Sequence, residues 1–161
     1  LLAANGEYLV AGPDWTDSST TRARRVSLNA QPVGAEFALP SQTLATSGSE
    51  YYVVWIKDYV NLVGSRVTST GTLLTPGGTM IVPGFSQYHQ SALAHDGTNW
   101  WLEWGVSDQL RTVRISGAGA VLDPGGGVLL SPRRVVCPLC ASARARPPPF
   151  LMSSAAGGRL V

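Results

Sequence analysis

Cys137 and Cys140 stand three residues apart in CPLC, a spacing used by zinc sites and by thioredoxin-like redox centres because two thiolates so placed can share a metal or close a disulfide. Structural zinc takes a tetrahedral ligand set, and there is no second Cys pair. The two histidines, His89 and His95, lie 48 and 42 residues upstream of Cys137, on the wrong side for a zinc finger. A redox CxxC opens a helix after a strand, whereas this one sits in a Pro-rich run. It reads as a loop disulfide or two idle thiols, and no metal or cofactor is expected.

His89 and His95 read as surface or hydrogen-bonding residues, since no Ser or Cys stands in a nucleophile elbow. TPGGT and DPGGG look Gly-rich, but they join strands and precede no helix, so they are not phosphate cradles. Arg25, Arg66 and Arg114 each stand before an apolar residue (Val26, Val67, Ile115) and follow an acid on the preceding arm: Asp14, Asp58 and Asp108. The pattern predicts three ion pairs, Asp14 with Arg25, Asp58 with Arg66 and Asp108 with Arg114, bridging neighbouring strands. A repeated pair of this kind is structural; catalysis would require the three to face one channel.

Tyr51, Tyr52 and Trp55 recur as Trp100, Trp101 and Trp104. The cluster could stack sugars, but its recurrence on an inner strand reads as core packing. Trp15 lies off the pattern in a loop and is expected to be exposed. Glu103, in Trp-Leu-Glu-Trp, breaks an otherwise apolar strand, and stands either at a sheet edge or as a functional intrusion. Trp15 and Glu103 are the candidate ligand contacts.

The positioning elements follow from a repeat. AHDGTNWWLEW echoes TSGSEYYVVW and, worn down, ANGEYLVAG. Gly48 to Gly97, Tyr51 to Trp100 and Trp55 to Trp104 are 49 apart, and Arg66 to Arg114 is 48. Each copy reads as four short strands: 1–4, 7–11, 22–28 and 35–39; then 43–47, 51–56, 62–68 and 79–82; then 91–95, 100–105, 110–116 and 128–130. Asp96-Gly97 is a strong hairpin signal. Tyr52, Val54 and Ile56 alternate with Tyr51, Val53 and Trp55, so that strand must be covered on both faces. Periods of roughly 40 to 50 residues with Trp and Gly signatures belong to propeller blades. The expected fold is all-β, an incomplete β-propeller-type array of four-stranded antiparallel blades. Repeat 1 spans 1–41, repeat 2 spans 42–89 and repeat 3 spans 90–132. An insertion loop occupies 133–148, and a fourth repeat starts at 149–161.

Composition agrees. Only 14% of residues are charged, against roughly 25% in ordinary soluble domains, and Gly and Pro are dense. The formal charge of +2 conceals five arginines (Arg133, Arg134, Arg144, Arg146, Arg159) after residue 130, leaving seven basic against ten acidic residues in 1–130. That excludes a basic face for nucleic acid, and no apolar run is long enough for a membrane span. No signal peptide is visible, and because the chain opens on Leu1 without an initiator Met, that absence carries no information on export.

The phrases AHDGTNWWLEW, VRISGAGAVLDPGGGVLL, YYVVWIKD and GSRVTSTGTLLTPGG resemble the tandem blade repeats of large bacterial secreted or surface proteins, common in myxobacteria and their relatives. The resemblance covers residues 1–130 and resumes near Phe150. Gly12, standing where the repeat has its closing Trp, and the CPLC insertion depart from it. It implies an extracellular or cell-surface location; the architecture alone motivates the expected work, a non-enzymatic scaffold binding a protein or glycan, joined to further blades of a longer chain or to copies of itself. The rival is a propeller-type glycoside hydrolase or sialidase-like enzyme, but Asp96-Gly97 fails the Asp-x-Gly-x-Thr spacing of an Asp box. No catalytic residue is nominated.

Overall fold

The structure, a computed structural model, describes residues 2–4, 6–17, 20–40, 43–85, 91–106 and 109–132. Asp108, His89, Cys137, Cys140, the five arginines of 133–161, the insertion loop and the expected fourth repeat lie outside the described residues. The regular elements within them are all β-strands, in three sheets. β1 (Leu2–Ala4), β2 (Glu7–Pro13), β3 (Thr21–Ser27) and β4 (Pro32–Leu39) form the first. β5 (Thr43–Thr46), β6 (Tyr51–Lys57), β7 (Asn61–Val67) and β8 (Thr79–Pro83) form the second. β9 (Ser91–His95), β10 (Asn99–Val106), β11 (Gln109–Ser116) and β12 (Val128–Ser131) form the third.

Each sheet is an antiparallel meander in chain order. The strands read from the sequence are all present, with ends displaced by at most three residues, because period-two alternation between turn residues leaves little freedom. At the Asp-Gly turn, the Asp96 N–H donates to the Asn99 carbonyl at 3.1 Å. Gly97 there has φ of 98°.

The sheets pack face to face around the second. Tyr51, Val53 and Trp55 turn toward the first sheet and pack with Leu9, Ala11, Ala23, Phe37 and Leu39. Tyr52, Val54 and Ile56 turn the other way, onto Trp100, Leu102, Trp104, Val113 and Ile115. Full burial of one such side chain is worth about 1.5–3 kcal/mol, so a strand apolar on both faces is stable only between two covers. The first strands of successive sheets are neighbours, β1 beside β5 and β5 beside β9. The Thr43 hydroxyl donates to the Ser91 carbonyl at 3.2 Å and meets its hydroxyl at 2.8 Å, tying β5 to β9.

Glycines make this packing close. A Cβ on Gly64 would stand 2.5 Å from the Tyr52 ring. Gly78 and Gly127, with φ of 71° and 74°, sit against the indoles of Trp55 and Trp104, where a Cβ would approach Cη2 to 2.9 and 2.7 Å. The TPGGT and DPGGG connections therefore seat tryptophans. The third sheet has one more glycine there than the second, and Arg111, which stands where the second sheet has Val63, donates to the carbonyl of Gly126 at 3.1 Å.

Tyr52 and Trp100 meet at 5.3 Å between centroids. Both are buried, and neither the Tyr52 hydroxyl nor the Trp100 Nε1 has a hydrogen-bond partner among the described residues. A buried, unsatisfied donor costs about 1–3 kcal/mol. Tyr52→Phe should therefore leave stability unchanged or raise it by about 1 kcal/mol, whereas Tyr52→Ala should lower it by about 3–5 kcal/mol. Urea unfolding followed by tryptophan fluorescence checks both, and a loss of more than about 1 kcal/mol in Tyr52→Phe would show that the hydroxyl is bonded.

Candidate functional site

The recurring arginines form ion pairs, those of Arg25 and Arg66 with other partners than expected; the third expected partner, Asp108, lies outside the described residues. Arg25 binds Glu7 at 3.2 Å, Arg66 binds Glu50 and Arg114 binds Asp123. Asp14 pairs with Arg22 at 2.6 Å instead of Arg25. The registers give the reason. Arg25, Arg66 and Arg114 lie opposite Leu9, Tyr52 and Trp101. Side chains two residues along the partner strand lie diagonally on the same face, and those are Glu7, Glu50 and Asn99. Where an acid stands there, the arginine takes it; at Asn99 there is none. Arg114 turns to Asp123, bonding both carboxylate oxygens at 3.0 and 2.8 Å.

Asp58 is placed by its backbone. Asp58 and Tyr59 have φ of 54° and 62°, and Val60 N–H donates to the Lys57 carbonyl at 3.3 Å. Two successive left-handed residues are the pattern of a type I′ hairpin turn, which asks for Asn, Asp or Gly. Tyr59 in that turn is 80% exposed, an exposed aromatic besides Trp15 that the sequence pattern did not reveal.

The aromatic cluster divides. Tyr51, Tyr52, Trp100 and Trp104 are buried and Trp55 packs against the core, so they offer no platform for a sugar. Trp101 is half-buried and aims away from the second sheet. Its Nε1 donates to Asp96 at 2.6 Å, and the Arg114 guanidinium lies 5.9 Å from its ring centroid. Glu103 is not on an edge strand; β10 lies between β9 and β11, with Ala92 and Thr112 as its partners. It is half-buried on the same face as Trp101.

Two carboxylates organise loops. Asp96 accepts from the N–H groups of Asn99 at 2.7 Å and Thr98 at 2.8 Å besides the indole. Those bonds, Asn99 foremost, hold its pKa down at about 2. Asp14 accepts from the Thr16 hydroxyl at 2.6 Å, the Thr16 N–H at 2.9 Å and Arg22 Nε at 2.6 Å. These bonds, those of Thr16 first, hold its carboxyl well below the usual carboxylate range. Beside this braced Asp14 stands Trp15, 94% exposed. His95 accepts from the Gly97 N–H at 3.1 Å and packs on Trp100.

One cleft of about 180 Å³ opens between the second and third sheets, lined by Val82, Phe85, Trp104, Val106 and Arg111. Ligand pockets run to about 300–1,000 Å³, so this one would accept a small ring at most. Among the described residues no group of three or more His, Cys, Asp or Glu could hold a metal. The acids at the three recurring arginines are engaged by the guanidinium groups, and Asp14 beside Trp15 by Thr16 and Arg22.

Compared with protein-family models, with curated proteins and with solved structures, the chain matches none.

A double-mutant cycle on Glu50 and Arg66, removing each to Ala, should give a coupling of about 0.5–1 kcal/mol, as partly exposed bidentate pairs do. The same cycle on Asp58 and Arg66 should give none, and a comparable coupling there would restore the pairing expected from the sequence. Asp96 titrates below its ordinary 3.8 when folded, so its stabilisation is complete above that value and is lost as pH falls through about 2. Asp96→Asn should therefore flatten the acid limb of a stability-against-pH curve between pH 4 and 2, about the range of the two values; an unchanged limb would show that the carboxylate is not held by the turn.

Proposed function

We propose that the chain is an arc of a propeller-type array of four-stranded blades, non-enzymatic, extracellular or attached to a bacterial cell surface, that presents its loops to a protein or glycan. The reading rests on the two-sided burial of β6 between flanking sheets. Meanders stacked face to face, first strand beside first strand, are what tandem blades provide. The resemblance of the repeat phrases to secreted and surface repeat proteins supports the location.

The contact residue is Trp15. An indole that projects from a turn braced by Asp14, Thr16 and Arg22 is a large apolar surface held at low entropic cost, which is how binding hot spots are built. Sugar rings and apolar protein side chains both stack on such a face. Glu103, beside Trp101, offers a second contact on the third sheet. Screening the immobilised full chain against glycans and envelope proteins should retain at least one of them. Trp15→Ala should then weaken retention about tenfold or more, as hot-spot truncations do, with the unfolding midpoint unchanged. No retained glycan or envelope protein would defeat the proposal.

A further inference from the structure

Among the described arginines, Arg22, Arg25, Arg66 and Arg114 each meet a carboxylate. Arg66 and Arg114 do so through one edge of the guanidinium, Nε and Nη2: Arg66 reaches the two Glu50 oxygens at 2.8 and 2.7 Å, and Arg114 those of Asp123 at 3.0 and 2.8 Å. In the half-buried Arg111 that edge has no partner among the described residues. Its guanidinium is held from the other side, Nη1 donating to the carbonyls of Gly126 at 3.1 Å and Gly127 at 3.5 Å. A planar fork fixed at one nitrogen presents its remaining donors in the geometry that a carboxylate accepts. Packing does not ask for an arginine here. Opposite Trp55 the second sheet has the buried Val63, where the third has Arg111 opposite Trp104. The exchange comes together with the extra glycine of the third connection, whose carbonyls hold Nη1. The cleft that Arg111 lines is otherwise apolar, walled by Val82, Phe85, Trp104 and Val106, with Phe85 and Trp104 edge to face at 6.3 Å. A cation beside such walls is partly stripped of water without a counter-ion of its own.

We infer that this cleft binds a small carboxylate carrying an apolar ring, the carboxylate on the Nε and Nη2 edge of Arg111 and the ring against Val82, Phe85, Trp104 and Val106. The volume of about 180 Å³ admits one ring. A sugar would set hydroxyls against apolar walls that cannot bond them, and inorganic phosphate has no ring to fill the space, so the ligand is an aromatic or alicyclic monocarboxylate. The site is separate from Trp15 and does not draw on the blade reading; it needs only the seam between the second and third sheets.

Benzoate is the probe. Titrated into the isotope-labelled full chain, it should give saturable NMR shifts centred on the Trp104 indole N–H and the amides of Val106, Gly126 and Gly127, with a dissociation constant of about 1 mM or below. Benzamide keeps the ring and loses the charge, and acetate keeps the charge and loses the ring; each should bind about tenfold more weakly or worse. Arg111→Gln should abolish the preference for benzoate over benzamide, and Arg111→Lys, a point charge without the fork, should keep it only in part. The inference is overturned if benzoate gives no saturable shift up to about 10 mM, or if the shifts centre elsewhere. Benzamide binding as well as benzoate overturns it too, as does an Arg111→Gln chain that binds benzoate like the wild type. Should Arg111→Gln not fold, the comparison of benzoate with benzamide and acetate on the wild-type chain decides alone.

Discussion

The second sheet is apolar on both faces, and the rest of the molecule answers that constraint. A strand reading Tyr-Tyr-Val-Val-Trp-Ile cannot lie on a solvated surface, because its successive side chains point to opposite sides. Its neighbours supply the covers: Leu9, Ala23 and Leu39 on one side, Trp100, Leu102 and Ile115 on the other. The glycines and ion pairs adjust to this packing. Gly64 leaves the room that the Tyr52 ring fills, and Gly78 and Gly127 let the connections pass close to Trp55 and Trp104.

Charge is kept at the margins of these interfaces. Arg25 and Arg66 stand on forward faces, diagonal to Glu7 and Glu50, so each guanidinium reaches a carboxylate of its own sheet without crossing the core. Partly exposed pairs add little net stability, about 0–1 kcal/mol, and their effect is to keep an arginine stem on the apolar face with its head outside it. Asp96 and Asp14 act on backbone instead, supplying acceptors for turn N–H groups that no ladder satisfies. Asp14 in the first sheet and Asp96 in the third therefore serve the shape of their turns, and Arg114, diagonal to Asn99 where the other two arginines meet an acid, is satisfied by Asp123 from the connection.

Strands, hairpins and the two-faced burial of β6 were legible in the sequence because each follows from local rules: period-two alternation, turn residues and the double apolar pattern. The partners of the arginines were not, because nearness along the chain stood in for register. Asp58 precedes Arg66 by eight residues and Glu50 by sixteen, yet the tight turn at Asp58 and Tyr59 sets Tyr52 opposite Arg66 and brings Glu50 to its side. Counting outward from that turn would have found the pair. Trp15 was legible as a residue off the pattern; Tyr59 was hidden because an aromatic in a left-handed turn has no propensity to announce it. Glu103 was legible as a breach in an apolar strand, but its place on an inner strand depends on the order of the sheet.

The breach at Glu103 has a counterpart in the neighbouring strand. Where the second sheet has Gly64, the third has Thr112, and where the second has Tyr52 lying over that glycine, the third has Trp101. A threonine removes the room that Tyr52 uses, and the Trp101 indole is drawn to Asp96 at the hairpin turn, with Arg114 over its ring. The Thr112 hydroxyl donates to the Leu102 carbonyl at 3.1 Å, an internal bond that a glycine could not make. Three changes on one face, Gly to Thr, Val to Glu and Tyr to a tethered Trp, alter what it can meet, while the opposite face of the same strands keeps Trp100, Leu102 and Trp104 for the core. Because alternate side chains serve different faces, a sheet can change one interface without disturbing the other. This independence is what lets a meander keep core packing on one side while the chemistry of its other side changes.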